Sequence, residues 1–112
     1  MGLSNRLVNG VVVIDIIEKC AGTLVPLEEA ENFIHSVLNL YNKTAGKISF
    51  DLSSKPFLNS SGLGQLIMAK DKLMDKGIDL VLINPTERVR SLLDMVGIAD
   101  FFHIVDKETD LS

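Results

Sequence analysis

Two adjacent serines, Ser60 and Ser61, stand next to Gly62 and Gly64 in the segment FLNSSGLGQL, residues 57–66. The segment follows an alternating stretch typical of a strand and precedes a stretch with helical spacing. A serine at such a junction is most often a helix cap, because its hydroxyl accepts a hydrogen bond from an orphan backbone amide. Each glycine weakens a helix by about 1 kcal/mol relative to alanine. The pair of glycines therefore indicates that something near the serines needs bare backbone.

Nucleotide-binding and hydrolase motifs do not fit this segment. A P-loop needs a lysine followed by Ser or Thr after its second glycine, where this chain has Gln65 and Leu66. A nucleophile elbow needs a glycine two positions before its serine, which both serines lack. The two histidines, His35 and His103, fall on the polar side of a helix and within an apolar strand, with no acid arranged to make a dyad. A serine hydrolase using Ser61 is therefore a remote alternative, and we expect that the protein is not an enzyme.

Composition and charge exclude several other classes of function. No His, Cys, Asp or Glu pair occurs at a recognised ligand spacing, so we expect neither a metal nor a cofactor. The net charge is −4 with acids and bases interspersed, which argues against nucleic acid as a partner. No stretch resembles a signal peptide or a membrane span, and the single cysteine, Cys20, cannot form an intrachain disulfide. These features predict a cytoplasmic protein without membrane insertion.

The elements that must position the serines are visible in the hydrophobic spacing. Asn9-Gly10 between two apolar runs predicts an N-terminal hairpin. Helical spacing occurs over 27–41, 63–76 and 89–96, and strand patterns occur over 48–52, 78–83 and 101–105, followed by a polar tail over 107–112. This order predicts an α/β fold in one domain over residues 1–112: a mixed, mostly parallel sheet with an N-terminal hairpin and helices packed on it.

The same patterns predict how two of the helices begin and pack. We expect Ser60 or Ser61 to cap the second helix, and Asn84 to cap the third, with Pro85 at its first position. Gly77 is expected to end the second helix. The second helix is expected to bury one side, formed by Leu63, Leu66, Ile67, Leu73 and Met74.

Covalent modification is the remaining chemical role for the serine pair. A phosphate on a serine at a helix N-terminus would meet free amides and the positive end of the helix dipole. It would also add about −1.5 to −2 charges to the surface, enough to oppose a partner that docks through apolar or acidic contacts. Such a serine would act as a switch without catalysis.

The runs DLSSKPFLNSSGLGQL and INPTERVRSLLDMVGIADFFHIV resemble the STAS domain of bacterial anti-sigma-factor antagonists. That family places Asp-Ser-Ser-Gly-Leu-Gly after a strand ending in Asp-Leu-Ser. The resemblance implies a phosphoprotein in transcription regulation, which binds an anti-sigma factor that is also a serine kinase. By the same resemblance that kinase phosphorylates Ser60 and so switches the antagonist off, and a serine phosphatase reverses the modification. We expect a monomer or a weak homodimer. The residues expected to bind the partner are Asn59, Ser61, Gly62, Leu63, Gly64, Leu24 and Pro26.

Two positions depart from the family pattern. Asn59 stands where the family usually has Asp, and Gly22-Thr23-Leu24-Val25 replaces the common Gly-Glu-Leu-Asp. These departures leave a second function open, a STAS adaptor that is not phosphorylated, within a signalling scaffold or a lipid-transport ABC system. The apolar stretch 24–27 likewise has two interpretations, a buried approach to the first helix or an exposed docking patch.

Overall fold

The computed structural model describes residues 5–16, 22–39, 46–97 and 99–106. Its strands and helices alternate after an opening hairpin, as the sequence predicts. The elements are β1 (Asn5–Val8), β2 (Val11–Asp15), α1 (Ala30–Leu38), β3 (Lys47–Asp51), α2 (Ser60–Asp75), β4 (Asp79–Ile83), α3 (Glu87–Met95) and β5 (His103–Val105), with single 3-10 turns at Leu27–Glu29 and Ala99–Phe101.

The five strands form one sheet in the order β1-β2-β3-β4-β5. β1 pairs antiparallel with β2, and the other neighbours are parallel. Asn9 and Gly10 close the hairpin with φ angles of 53° and 81°, the two positive values that a tight two-residue turn requires. The predicted α/β fold, with its mostly parallel sheet and N-terminal hairpin, is therefore confirmed.

The helices pack on one face of the sheet. Alternate strand residues such as Ile14, Phe50 and Leu82 belong to the main core together with Phe33 of α1 and Leu66 of α2. The intervening strand positions form a smaller buried cluster on the opposite face. Its members are Val11, Val13, Val81 and Ile83. Because β4 contributes to both clusters, it appears in the sequence as an uninterrupted apolar run.

The first helix and the last strand begin later than predicted. The helix expected from residue 27 begins at Ala30, after the 3-10 turn Leu27–Glu29, and its expected end at Tyr41 lies outside the described residues. The strand expected from residue 101 begins at His103, because the preceding residues form the 3-10 turn Ala99–Phe101. The Phe101 and Phe102 rings pack edge to face there, so this turn is apolar enough to resemble a strand in sequence. Cys20 and the polar stretch 107–112 are also outside the described residues.

The predicted start of α3 is wrong by two residues. Thr86 is the N-cap, and its Oγ1 accepts a hydrogen bond from the Val89 amide at 3.3 Å. Asn84 instead lies directly after β4 and has a φ angle of 52°, a left-handed conformation that asparagine tolerates. Pro85 therefore precedes the cap and is not the first helical residue.

The buried side of α2 is also different from the prediction. Leu66 and Leu73 are buried and Leu63 is half-buried, but Ile67 and Met74 are exposed. The inward positions are shared with smaller and polar residues, namely Gly62, Gln65, Ala69 and Lys70. Gly77 follows the helix with a φ angle of 73°, as expected for a C-terminal stop.

Candidate functional site

Asn59, and neither serine, caps α2. Asn59 has extended backbone angles, and its side-chain Oδ1 accepts a hydrogen bond from the Gly62 amide at 2.8 Å. The predicted serine cap is therefore wrong, since asparagine satisfies the same orphan amide equally well. Ser60 and Ser61 become the first two residues of the helix, and both are exposed.

The start of α2 leaves two backbone donors toward solvent. The Gly62 amide binds the Asn59 side chain, and the Leu63 amide donates to the Asn59 carbonyl at 3.0 Å. The Ser60 and Ser61 amides precede the first intrahelical donor, and no acceptor for them lies within the described residues. These two amides and the helix dipole give the turn a positive potential next to the serine hydroxyls.

The segment at residues 22–25 packs directly against this turn. The Asn59 amide donates to the Gly22 carbonyl at 2.9 Å, and a Cβ atom on Gly62 would overlap that carbonyl oxygen. The predicted need for backbone without a side chain near the serines is therefore found at Gly62. Gly64 has a different environment, because a Cβ atom there would meet nothing within 4 Å. Packing within the described residues does not require Gly64.

Gln65 holds the same segment from the other side, a role that sequence reasoning missed. Its Oε1 accepts hydrogen bonds from the amides of Leu24 at 2.7 Å and Val25 at 3.2 Å. Its Nε2 donates to the Val25 carbonyl at 3.0 Å. A signal was present, because a glutamine beside Leu66 on the inward side of a helix must find partners when it is buried.

The stretch 24–27 divides into a buried and an exposed part. Leu24 is 3% exposed and packs in the main core, so the expectation that it contributes to a surface docking patch is wrong. Val25 and Pro26 are half-buried. Leu27 is 62% exposed and is the apolar side chain that this stretch presents to solvent.

A stripe of exposed residues runs from Ser60 along the outside of α2 and becomes apolar at Ile67 and Met68. Residues 60, 64, 67 and 68 recur at helical spacing and share one side of the helix. We call Ser60, Gly64, Ile67 and Met68 the outer stripe of α2. Ile67 and Met68 are exposed, and Met68 lines a groove of about 590 Å³ together with Leu27. The groove lies between α1 and α2 and has charged residues at its rim, including Glu28, Glu31 and Lys72.

The segment that leads into α2 is joined to the start of α3. The Thr86 hydroxyl donates to the Lys55 carbonyl at 3.0 Å, which joins the α3 cap to the segment that leads into α2. The turn is thus fixed by the 22–25 segment, and the segment before it is fixed by α3. None of the hydrogen bonds described for this turn uses a hydroxyl of Ser60 or Ser61.

The histidines do not approach this turn. The serines follow the carboxyl end of β3. His103 is the first residue of β5 and lies at the amino end of the parallel strands, where its Nδ1 is 3.4 Å from an Asp79 oxygen. His35 is exposed in the last turn of α1, and this helix runs toward the amino ends of the parallel strands. Neither imidazole is placed to deprotonate a serine of the turn. Within the described residues no group of three or more His, Cys, Asp or Glu could hold a metal.

None of the helices in the described part of the chain combines the length and apolar character needed to cross a bilayer. Asp71 and Asp75 are exposed and lie on the solvent-facing side of α2.

Comparison with known proteins agrees with this architecture. The chain is similar to a putative anti-sigma factor antagonist, TM1081 from Thermotoga maritima: its crystal structure gives 21% identity over 96% of this chain and 89% of that one, with a TM-score of 0.72. An NMR structure of TM1081 gives 22% identity over 98% and 85%, with a TM-score of 0.79. The Bacillus cell fate determinant SpoIIAA in its phosphorylated form gives 16% identity over 96% and 95%, with a TM-score of 0.63.

At these identities the solved structures establish a shared fold. The comparison with curated protein sequences found no match. The model of the STAS domain matches residues 23–111, which includes Ser60 and Ser61 and the described helices α1, α2 and α3. The chain therefore belongs to the STAS domain family.

Proposed function

We propose that the protein is an anti-sigma-factor antagonist that binds an anti-sigma factor with serine kinase activity and is switched off when that kinase phosphorylates Ser60. The observation that carries the proposal is an exposed Ser60 at the first position of a 16-residue helix. TM1081 is described as a putative anti-sigma factor antagonist. SpoIIAA, another antagonist, is known in both unphosphorylated and phosphorylated forms.

The turn can accept a phosphate without refolding. In the transfer, Ser60 Oγ forms a bond to the γ-phosphorus of ATP, ADP leaves, and the hydroxyl proton passes to a base on the kinase. The phosphate would then lie beside the Ser60 and Ser61 amides and the positive end of the α2 dipole. The bonds of Asn59 and Gln65 hold the backbone in place before and after modification, since neither uses a serine hydroxyl.

The location of Ser60 explains how a phosphate would oppose binding. A partner that covers the outer stripe of α2 buries Ile67 and Met68 and must also cover Ser60, which begins the stripe. The hydroxyl is small and neutral, and a partner can satisfy it with one hydrogen bond. A phosphate with nearly two charges would lose its hydration in the same contact, and this cost disfavours the complex.

Asn59 does not by itself argue for the adaptor alternative. Its side chain fulfils the capping role that aspartate would fulfil, and the exposed serine remains beside it. We therefore infer that the protein acts as a cytoplasmic regulator without catalytic activity of its own, and that a serine phosphatase restores it. The residues that form or border the binding surface are Asn59, Ser61, Gly62, Leu63, Gly64 and Pro26.

The proposal is tested with the full chain, candidate anti-sigma kinases and ATP, by measuring intact mass. We expect the mass gain of one phosphate, lost in Ser60→Ala and retained in Ser61→Ala. Ser60→Asp should weaken binding to the kinase, whereas Ser53→Asp, at another exposed serine, should not. A mass gain that survives Ser60→Ala contradicts the assignment of Ser60. Recovery of a transporter ATPase in place of a kinase from a pull-down would decide for the adaptor.

A further inference from the structure

Arg88 contacts the segment that leads to the two serines, and it has no acidic partner among the described residues. Its guanidinium carbon lies 5.3 Å from the centroid of the Phe57 ring, and Phe57 is three residues before Ser60. The other two arginines of the chain are paired: Arg6 contacts Asp15 and Asp51, and Arg90 contacts Asp106. No carboxylate among the described residues lies within ion-pair distance of Arg88, which is exposed in the first turn of α3.

Two neighbouring connections bring the starts of α2 and α3 to the same end of the sheet. β3 and β4 are adjacent and parallel, so the helices that follow them, α2 and α3, both begin at the carboxyl edge of the sheet. The Thr86–Lys55 hydrogen bond of 3.0 Å joins these connections one turn from Arg88. Three residues of chain span at most about 11 Å, so the α-carbon of Ser60 lies no further than this from that of Phe57. A phosphoserine side chain and an arginine side chain that extend toward each other can together span such a distance.

We propose that Arg88 binds the phosphate carried by Ser60 in the modified protein. This inference rests on the proposed phosphorylation of Ser60. The guanidinium is a planar fork whose paired N–H donors match two phosphate oxygens, and such charge-assisted pairs are among the strongest hydrogen bonds in proteins. The contact with the Phe57 ring uses no hydrogen-bond donor, so the guanidinium N–H groups keep their capacity to bind phosphate oxygens.

The contact would give the phosphorylated state a defined surface. The phosphate would be held between the amides at the start of α2 and the Arg88 side chain of α3. In the unmodified protein, α3 contacts the 55–57 segment that leads into α2. A bound Arg88 would stabilise the dianion more than the monoanion, whereas a nearby carboxylate such as that of its neighbour Glu87 has the opposite effect. The pKa of the bound phosphate is therefore the quantity that reports the contact.

The test uses the full chain with phosphoserine installed at position 60 by genetic code expansion, so no kinase is needed. The phosphate pKa is measured by ³¹P NMR in the parent, Arg88→Gln and Arg90→Gln proteins. We expect Arg88→Gln to raise that pKa by about 1 and Arg90→Gln, on the same helix, to leave it unchanged. Arg88→Lys, which retains the charge and loses the fork, should fall between them. Amide spectra of the unphosphorylated variants verify that the fold is intact.

Two results would overturn the inference: a phosphate pKa unchanged by Arg88→Gln, or an equal rise in the Arg88 and Arg90 variants, which would indicate a general surface-charge effect. Neither result bears on whether a kinase modifies Ser60. Conversely, a failure of kinases to modify Ser60 removes the proposed function and leaves the measured Arg88 contact in place. The two hypotheses therefore fail separately.

Discussion

The carbonyl oxygen of Gly22 occupies the space that a side chain on Gly62 would need. The same oxygen accepts the Asn59 amide at 2.9 Å, so it cannot move away without losing a hydrogen bond at the start of α2. Gly22 itself has a φ angle of 78°, which glycine adopts readily. Two glycines distant in sequence thus bring two backbones together beneath the exposed Ser60.

This packing predicts opposite effects of alanine at the two glycines of α2. Gly62→Ala should destabilise the fold by about 1–3 kcal/mol, because its methyl group meets a backbone oxygen that cannot yield easily. Gly64→Ala should stabilise it by up to about 1 kcal/mol, because the site is open and alanine favours helix. Urea unfolding of the two variants checks this. Equal effects would show that the Gly22 contact does not govern the stability of the turn.

Gln65 provides a second test of the same junction. Gln65→Leu retains the bulk but leaves the buried Leu24 amide without its acceptor, which should cost about 1–3 kcal/mol in the free energy of unfolding. Hydrogen exchange at the Leu24 and Val25 amides should become faster in the variant. Lys72→Leu, on the exposed side of the same helix, is the control and should change stability by no more than about 0.5 kcal/mol. Unchanged exchange at Leu24 would contradict the assigned role of Gln65.

Two substitutions separate the capping hydrogen bond of Asn59 from the effect of a negative charge at this position. Asn59→Ala should lower stability by about 1 kcal/mol, because the Gly62 amide loses its acceptor. Asn59→Asp should retain the cap and add about 0.3–1 kcal/mol at low ionic strength through the helix dipole, a gain that salt reduces. Thermal or urea unfolding at low and high salt measures both effects. An Asn59→Ala protein as stable as the parent would exclude the capping role.

Thr86 has two partners, and a conservative substitution separates its hydroxyl from its methyl group. Thr86→Ala should cost about 1–2 kcal/mol, because both the α3 cap and the bond to the Lys55 carbonyl are lost. Thr86→Ser should retain most of the stability, since it keeps the oxygen. The unfolding free energies are the measurement, and a serine variant as unstable as the alanine variant would point to methyl packing in place of hydrogen bonding.

Much of the fold could be predicted because its signals are local. Asn9-Gly10 specifies a tight turn through the backbone angles these residues tolerate, and the turn is found there. The alternation in β3 and the continuous apolar run of β4 reflect burial on the two sheet faces. The location of Ser60 at the carboxyl edge of the sheet follows from the order of strand and helix.

The details of the site were less predictable for a physical reason. Asn59, Ser60 and Ser61 are three successive residues of types that cap helices well, so propensity alone cannot choose among them. The choice depends on the extended backbone at Asn59, whose amide is bound by Gly22. The apolar residue Met74 on α2 was likewise assigned to the core from spacing, although only the three-dimensional packing determines which side of a helix is covered.

The sequence by itself determined the order of the elements, the hairpin and a serine at a strand-to-helix junction, because these depend on backbone preferences and on periodicities within a few residues. Only the tertiary structure decided which residue caps α2, why Gly62 must be glycine and what Gln65 binds. It also decided that Leu24 is buried while Leu27 is exposed. These features depend on partners far away in the chain, such as the Leu24–Gln65 pair 41 residues apart, whose proximity exists only after the chain has folded.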